Sequence, residues 1–334
     1  MGKSLAAKLE QYRQTQRKGV DYILQHANPD GSIGPTEKGF FYYRTPWALA
    51  TGGANESALR LCAWIREHQF GENGDFVGVS PRPLDDHYLY TNALFVVGAQ
   101  MLQQFDLARR GMDYMLTLWD PLSGGFYNYV ADGNGTEHSD KEDIPFNCGV
   151  GLACLMTGEL DAAERVAMWL QRMWSLQADL PDRLFFVYSA EHQALITDFP
   201  AEEAKVHVLE AQQPRQRFTV GGIGAAFLAR LYQARPRPQY LALAREYQAF
   251  SHNQTAQQFD VAQVCKVGWG AALLYQITGE DVYKEWAIKV ADYFVETQFA
   301  DGHWINNEPL PDGQPEIEIG SEFLVYLDVI VASL

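Results

Sequence analysis

The chain has 334 residues, of which 47% are hydrophobic and 20% charged, so it is a folded protein and not a disordered one. Acidic residues outnumber basic ones 42 to 26, which gives a formal net charge of -16. Duplex nucleic acid and acidic membrane surfaces would be repelled on average, and we expect neither as a partner. Aromatic residues make up 13% of the chain, which is a first indication of a lined cavity.

The cysteine pattern and the N-terminal segment indicate a cytoplasmic protein. The four cysteines form no CxxC pair, so we expect reduced thiols. Residues 1–16 are polar and lack the apolar core of a secretion signal. The longest apolar stretches, such as 92–99 and 220–228, are short and glycine-broken, and none is expected to span a bilayer.

Two kinds of predicted helix alternate along the chain. Helices with one charged face cover Ala7–Gln25, Glu56–Gln69, Gln103–Leu118, Asp161–Leu176, Gln239–Phe250 and Asp281–Gln298. Helices rich in Gly and Ala and nearly free of charge cover Thr45–Gly52, Tyr88–Gln100, Asn147–Thr157, Val220–Tyr232, Lys266–Thr278 and Gly320–Ala332. A helix that is apolar all round is buried, and a striped helix lies at a surface. The alternation predicts an all-α (α/α)6 toroid with six inner and six outer helices, in one domain over residues 1–334.

The connections between these helices also alternate in length. Those from inner to outer helix are short, as in Thr157-Gly158-Glu159 and Thr278-Gly279-Glu280, where the glycine suits a left-handed helix cap. Those from outer to inner helix are long, so we expect all long loops on one face of the ring. Within them, Arg183–Phe199 has apolar runs around a polar centre and predicts a β-hairpin. Gly125–Tyr129 is a second place where a hairpin could begin.

The long turns and one complete helix pair carry a family resemblance. The turns QHANPDGSIG (25–34) and QFADGHW (298–304) resemble the Gln/Trp repeats of the terpene cyclase and protein prenyltransferase α/α-toroid superfamily. The segment 268–304 looks like one full repeat of such a toroid. It is also similar to repeats of six-hairpin glycosidases and N-acylglucosamine 2-epimerases, and DPLSGGFYNYVADGNG (120–135) favours that carbohydrate-active side. The resemblance implies the fold over most of the chain, whereas the chemistry must be argued from the site.

In such a ring the starts of the inner helices and the long loops meet at one rim. We predict five catalytic residues there: Asp86, His87, Asp143, Glu318 and Tyr43. Asp86 is the first choice for the acid, because a carboxyl group beside an apolar wall has a raised pKa, with His87 or Asp143 as the base. Glu318 and Glu322 are four residues apart, hence on one helical face, and a buried pair of carboxylates would keep one proton. The alternative for each acid is a helix cap.

Aromatic and charged side chains near the same rim are predicted to bind the substrate. They are Phe41, Arg44, Trp47, Tyr88, Phe126, Tyr127, Phe146, Phe186, Arg217, Trp269, Trp304 and Glu322. The cations Arg44, Arg217 and Lys266 would hold an anionic group or, alternatively, balance the local acids.

The sequence predicts neither a metal nor a cofactor. Asp260 and Cys265 resemble two zinc ligands of protein prenyltransferases, but the last inner helix has no histidine to complete the set. The Asp-x-Asp-Asp acid motif of class II terpene cyclases is absent, and the segment 84–87 matches it only in part. No dinucleotide or phosphate loop and no nucleophile elbow occurs.

Three functions are compatible with these features. The first is an isomerase, cyclase or lyase that uses acid–base groups on a mostly apolar or cyclic small molecule. The second is a sugar epimerase, or a hydrolase or lyase of sugars, whose site would carry many more hydrogen-bonding groups. The third is a binding toroid without catalysis, with rim charges paired to one another. A small molecule is the expected partner in each case, and a homodimer is compatible with the sequence.

Overall fold

A computed structural model describes residues 4–35, 42–76, 88–129, 138–310 and 314–334. Within these residues twelve α-helices follow one another. They are α1 (Leu5–Gln25), α2 (Thr45–Thr51), α3 (Asn55–His68), α4 (Tyr88–Met101), α5 (Phe105–Leu116), α6 (Ile144–Thr157), α7 (Leu160–Ser175), α8 (Val220–Ala234), α9 (Pro238–His252), α10 (Cys265–Thr278), α11 (Asp281–Thr297) and α12 (Ile317–Ser333).

The even-numbered helices form a closed inner ring. Each packs against the even-numbered helix before and after it, and α12 packs against α2 to complete the circle. Each odd-numbered helix packs outside, on the inner helix next to it, and α1 lies against α12. The inner helices are buried around most of their circumference, as their uncharged, apolar sequences require. The predicted α/α toroid is confirmed.

Two inner helices begin three residues earlier than the sequence predicted. Helix α6 begins at Ile144 and not at Asn147, because Pro145 fits the first turn, where its missing N–H costs no hydrogen bond. Helix α12 begins at Ile317 and not at Gly320, which brings Glu318 into its first turn. At the other ends of α6 and α10, Gly158 and Gly279 take the predicted left-handed conformation, with φ of 90° and 68°.

The glycines in the long turns also hold the outer layer together. Gly74 and Gly302 have φ of 94° and 102°, in the left-handed region that favours glycine. A Cβ on Gly74 would lie 2.1 Å from the Arg110 carbonyl oxygen, and one on Gly302 would lie 2.2 Å from that of Lys18. Each turn therefore packs directly onto the backbone of the next outer helix around the ring.

Five short strands lie in the long loops on one side of the ring. They are β1 (Lys141–Asp143), β2 (Arg183–Phe185), β3 (Val187–Ser189), β4 (Ala194–Leu195) and β5 (Val208–Glu210). The predicted hairpin within Arg183–Phe199 is present as the antiparallel pair β3–β4, whereas β2 pairs with β5. At the second place, Gly125–Tyr129, Phe126 makes an isolated bridge to Trp119, and the residues after it pair with the segment that leads into β1: the Asn128 N–H donates to the Lys141 carbonyl at 2.9 Å and the Ser139 N–H to the Tyr129 carbonyl at 3.0 Å. Strand β1 in turn pairs with β3.

Candidate functional site

A cavity of about 460 Å³ opens where the N-terminal ends of the inner helices meet. This volume lies within the range of about 300–1,000 Å³ that is usual for small-molecule sites. All six inner helices, with the residues just before them, contribute to its wall. The described lining residues are Tyr43, Arg44, Tyr90, Asp143, Pro145, Phe146, Phe186, Arg217, Thr219, Gln263, Lys266, Asn306, Glu318 and Glu322.

A buried cluster of four charges forms one side of the cavity. Arg44 Nη1 lies 2.7 Å from Glu318 Oε1 and 3.2 Å from Glu322 Oε2. Lys266 Nζ donates to Glu322 Oε1 from the start of α10. Only 1% of the Arg44 side chain is exposed, against 21% of Glu318. Glu318 is thus the carboxylate of this cluster that the cavity reaches most easily.

The cluster corrects the expectation that Glu318 and Glu322 share a proton as a like-charge pair. The two do lie on one face of α12, but Arg44 and Lys266 compensate them. Burial acts to raise the pKa of Glu322, yet the neighbouring charges of Arg44 and Lys266 outweigh it and hold that pKa well below its ordinary value. Glu322 is therefore ionised and pairs with two cations, so it is not a proton donor.

Two tyrosines enclose the Arg44 guanidinium. Its central carbon lies 4.8 Å from the ring centroid of Tyr43 and 5.6 Å from that of Tyr90, within cation–π distance. The Tyr43 hydroxyl donates to Glu318 Oε1 at 2.7 Å. Burial raises the pKa of Tyr43 well above its ordinary value, so this hydroxyl stays protonated as a donor. The Glu318 Oε2 atom forms no hydrogen bond with the described residues and is free to face a ligand.

Another stretch of the wall is polar but carries an unpaired cation. Arg217 is half-buried, and its guanidinium makes no hydrogen bond or ion pair with the part of the chain that the structure describes. Thr219 lies beside it, immediately before α8. Gln263 Nε2 donates to Asn306 Oδ1 at 3.1 Å, which joins two loops at the cavity edge.

Asp143 reaches the cavity from the end of β1, directly before α6. Its backbone N–H donates to Asn128 Oδ1 at 2.9 Å, and its carbonyl accepts from Asn147 Nδ2 at 3.1 Å, so its position is fixed from both sides. The preceding residue, Glu142, points to the opposite side of the strand and is fully buried.

Glu142 is held by two donors inside the protein. Ser123 Oγ donates to its Oε1 at 2.7 Å, and Trp169 Nε1 donates to its Oε2 at 2.8 Å. Burial, assisted by the nearby carboxylate of Asp120, outweighs these bonds and raises the pKa of Glu142 to about 8. Glu142 is therefore the neighbour in sequence of the cavity residue Asp143, but its own carboxyl group, with the raised pKa, lies in the core.

The structure brings eight of the predicted site residues to the cavity and places six elsewhere. Those at the cavity are Tyr43, Arg44, Asp143, Phe146, Phe186, Arg217, Glu318 and Glu322. Trp47 packs edge-on against Trp269, which stacks on Tyr326. The Trp304 indole donates to the Phe294 carbonyl. The other three are Tyr88, hydrogen-bonded to Tyr114, Phe126, fully buried, and Tyr127, stacked on His138.

Three further predicted residues, Phe41, Asp86 and His87, lie outside the described residues, and their roles stay predictions. Conversely, the predicted set did not include Tyr90, Pro145, Thr219 and Gln263, which line the cavity. The sequence could have indicated Tyr90, because it lies two residues after Tyr88 on one predicted helix. The two rings therefore point to opposite faces of that helix, and only one of them can face the cavity. Among the described residues, no three His, Cys, Asp or Glu side chains are grouped so as to hold a metal ion.

No family model matches the chain, and no curated protein matches it by sequence. Solved structures do resemble it over nearly their whole length. A D-mannose isomerase has a TM-score of 0.74 at 15% identity, with 99% of this chain and 98% of that chain covered. A family 76 α-mannanase from Bacteroides thetaiotaomicron has a TM-score of 0.63 at 13% identity, with 96% and 95% covered.

A type II terpene cyclase from Scytonema, solved with merosterolic acid A, has a TM-score of 0.62 at 13% identity, with 99% of this chain and 100% of that chain covered. These three proteins have different activities on one architecture. At such identities the likeness defines the fold, an α/α toroid, and the activity must come from the site. In the described part of the chain, no helix is both long and apolar enough to cross a bilayer.

Proposed function

We propose that this protein is a sugar isomerase or epimerase that moves a proton on the carbon next to a carbonyl group. The observation that carries the proposal is the pair of buried cations, Arg44 and Lys266, in the cavity wall. Removal of a proton beside a carbonyl makes an enediolate, whose negative charge fixed cations stabilise. Glu318 and Glu322 balance these cations at rest, and protonation of Glu318 would leave the cluster with one positive charge in excess, which suits an anionic intermediate and not a carbocation.

The aromatic rings of the wall support the same choice. Tyr43 and Tyr90 would be the natural partners of a carbocation, but the Arg44 guanidinium already lies at their faces. Phe146 and Phe186 line the same wall and would make apolar contact with a sugar ring.

The lining favours a hydroxylated substrate over a mostly apolar one. Of the fourteen described lining residues, only Pro145, Phe146 and Phe186 lack a side-chain hydrogen-bonding group. A hydrocarbon would leave without partners those polar groups of the wall that no described residue engages, such as the Arg217 guanidinium and Asn306 Nδ2, and each such group costs free energy when it is buried. The names of two of the similar structures, a D-mannose isomerase and an α-mannanase, agree with a sugar.

Glu318 is the proposed base. Tyr43 and Arg44 hold its Oε1, which leaves Oε2 to take the proton from carbon. The C–H electron pair then forms the enediol double bond, and the carbonyl oxygen becomes an oxyanion that Asp143 or Asp86 protonates. Return of the proton from Glu318 to the neighbouring carbon, while the hydroxyl on the first carbon gives its proton to the carboxylate left on Asp143 or Asp86, forms the carbonyl group of the ketose. If the enediol turns its other face to Glu318, return of the proton to the first carbon, while the newly formed hydroxyl gives its proton back to that carboxylate, gives the epimer.

Deuterium exchange tests this directly. The protein is incubated in D2O with aldoses and ketoses, including D-mannose, D-glucose and D-fructose, and exchange at C1 or C2 is followed by NMR. We expect Glu318→Gln and Asp143→Asn to lower the rate at least a hundredfold, whereas Glu308→Gln, at an exposed site, keeps it. Asp86→Asn and His87→Asn test the predicted acid and base in the same assay. Exchange that persists undiminished in Glu318→Gln would remove that residue as the base.

A binding toroid without catalysis is the second candidate, because Arg44, Glu318, Glu322 and Lys266 are paired with one another. It predicts that a sugar binds with no exchange at any carbon, in the wild type and in every variant.

A further inference from the structure

We infer that the substrate carries an anionic group, a carboxylate or a phosphate, and that Arg217 binds it. This rests on the proposed function and specifies which sugars the site takes. The sequence left open whether Arg44, Arg217 and Lys266 hold an anion or balance local acids. The structure separates them: Arg44 and Lys266 are neutralised by Glu318 and Glu322, and Arg217 is not.

Arg217 differs from the other two cations of the cavity wall because it has no carboxylate partner among the described residues. Arg44 and Lys266 both contact Glu322, and Arg44 also contacts Glu318. Arg217 is half-buried in a concave wall, where a guanidinium that lost water to a neutral ligand would remain uncompensated.

The groups around Arg217 suit a carboxylate or a phosphate. The Thr219 hydroxyl, which donates to the Arg217 carbonyl at 3.4 Å, lies beside it, and Asn306 Nδ2, on the wall of the same cavity, has no partner among the residues that the structure describes. Arg217 also precedes α8 by three residues, so the positive end of that helix dipole adds to the field on the same side. A guanidinium with neutral donors beside it binds such anions through charge-assisted hydrogen bonds.

The geometry also divides the site. The Arg44–Glu318–Glu322–Lys266 cluster belongs to α2, α10 and α12, whereas Arg217 belongs to the segment before α8. One sugar would therefore have its carbonyl end at the cluster and its anionic end at Arg217. The anion would determine which substrates bind, and the cluster would carry out the proton transfer.

Binding of three matched sugars tests the inference. D-glucose, D-glucuronate and D-glucose 6-phosphate differ only in the group at C6, and calorimetry measures each Kd for wild type, Arg217→Gln and the control Arg215→Gln, an exposed arginine of the same loop. We expect the wild type to bind at least one anionic sugar tenfold or more tightly than D-glucose. Arg217→Gln should lose that preference, Arg215→Gln should keep it, and 200 mM NaCl should reduce it relative to 20 mM. Thermal unfolding verifies that both variants fold.

The outcomes are distinguishable from those of the proposed function. If wild type prefers no anionic sugar, binds none of the three, or loses no preference in Arg217→Gln, the inference is wrong. If the preference depends on Arg217 but no sugar exchanges deuterium, the inference stands and the isomerase proposal fails. If neutral sugars exchange equally well in wild type and Arg217→Gln, the isomerase stands and the anionic substrate is rejected. Carboxylate and phosphate are told apart by which of the two sugars binds.

Discussion

Removal of both members of the Lys266–Glu322 pair should destabilise the protein less than the two single removals added together. Lys266→Met leaves Glu322 buried with Arg44 as its remaining cation, and Arg44 is shared with Glu318. Breaking a buried ion pair from one side costs about 3–5 kcal/mol. Because Arg44 stays 3.2 Å from Glu322, we expect the lower end, about 3 kcal/mol.

The matched variants form a double-mutant cycle. Glu322→Gln should cost a similar amount, because it leaves Lys266 as an uncompensated buried cation. The double variant keeps the Arg44–Glu318 pair and removes one charge of each sign. We therefore expect it to cost at least 2 kcal/mol less than the sum of the single variants, within the usual range for contacting residues.

Equilibrium urea unfolding measures these free energies, and the single variants should also lower Tm by roughly 4 °C for a chain of this size. The Arg44–Glu318 pair serves as an internal control, since the double variant leaves it intact. Additive costs, or a Lys266→Met variant as stable as the wild type, would refute the description of Lys266 and Glu322 as a buried, mutually dependent pair.

Three further predictions concern other parts of the fold. The folded protein holds the proton of Glu142 to about pH 8, whereas the unfolded chain releases it near its ordinary pKa. The free energy of unfolding of the wild type should therefore fall as pH rises from about 4.5 to 8. Urea unfolding across this range should show a flatter pH dependence for Glu142→Gln. Gly302→Ala should cost about 2–4 kcal/mol through strain and a clash, and Gly279→Ala, left-handed but with open space, about 1 kcal/mol; equal costs in thermal unfolding would contradict the packing described. Tyr43→Phe should lower the exchange rate about tenfold by removing the donor to Glu318, with little loss of sugar binding in calorimetry.

The sequence by itself determined the helices and their order, because helical periodicity and glycine stops are local properties. The contrast between uncharged segments such as 220–232 and striped ones such as 281–298 was sufficient to predict inner and outer layers. Gly158 and Gly279 marked helix ends correctly, since few other residues take a left-handed backbone without strain. The same alternation of helices, with long loops before the inner ones, also indicated that Asp143 and Glu318 lie at the rim.

The roles of the charges were decided only by the tertiary structure. Glu318 and Glu322 look like an acidic pair along the chain, and the cation that contacts both, Arg44, is 274 residues away from Glu318 in sequence. Whether a carboxyl group keeps its proton depends on burial and on charges within a few ångströms, and ring closure alone brings those charges together. For the same reason the sequence could not distinguish Arg44, which balances acids, from Arg217, which does not.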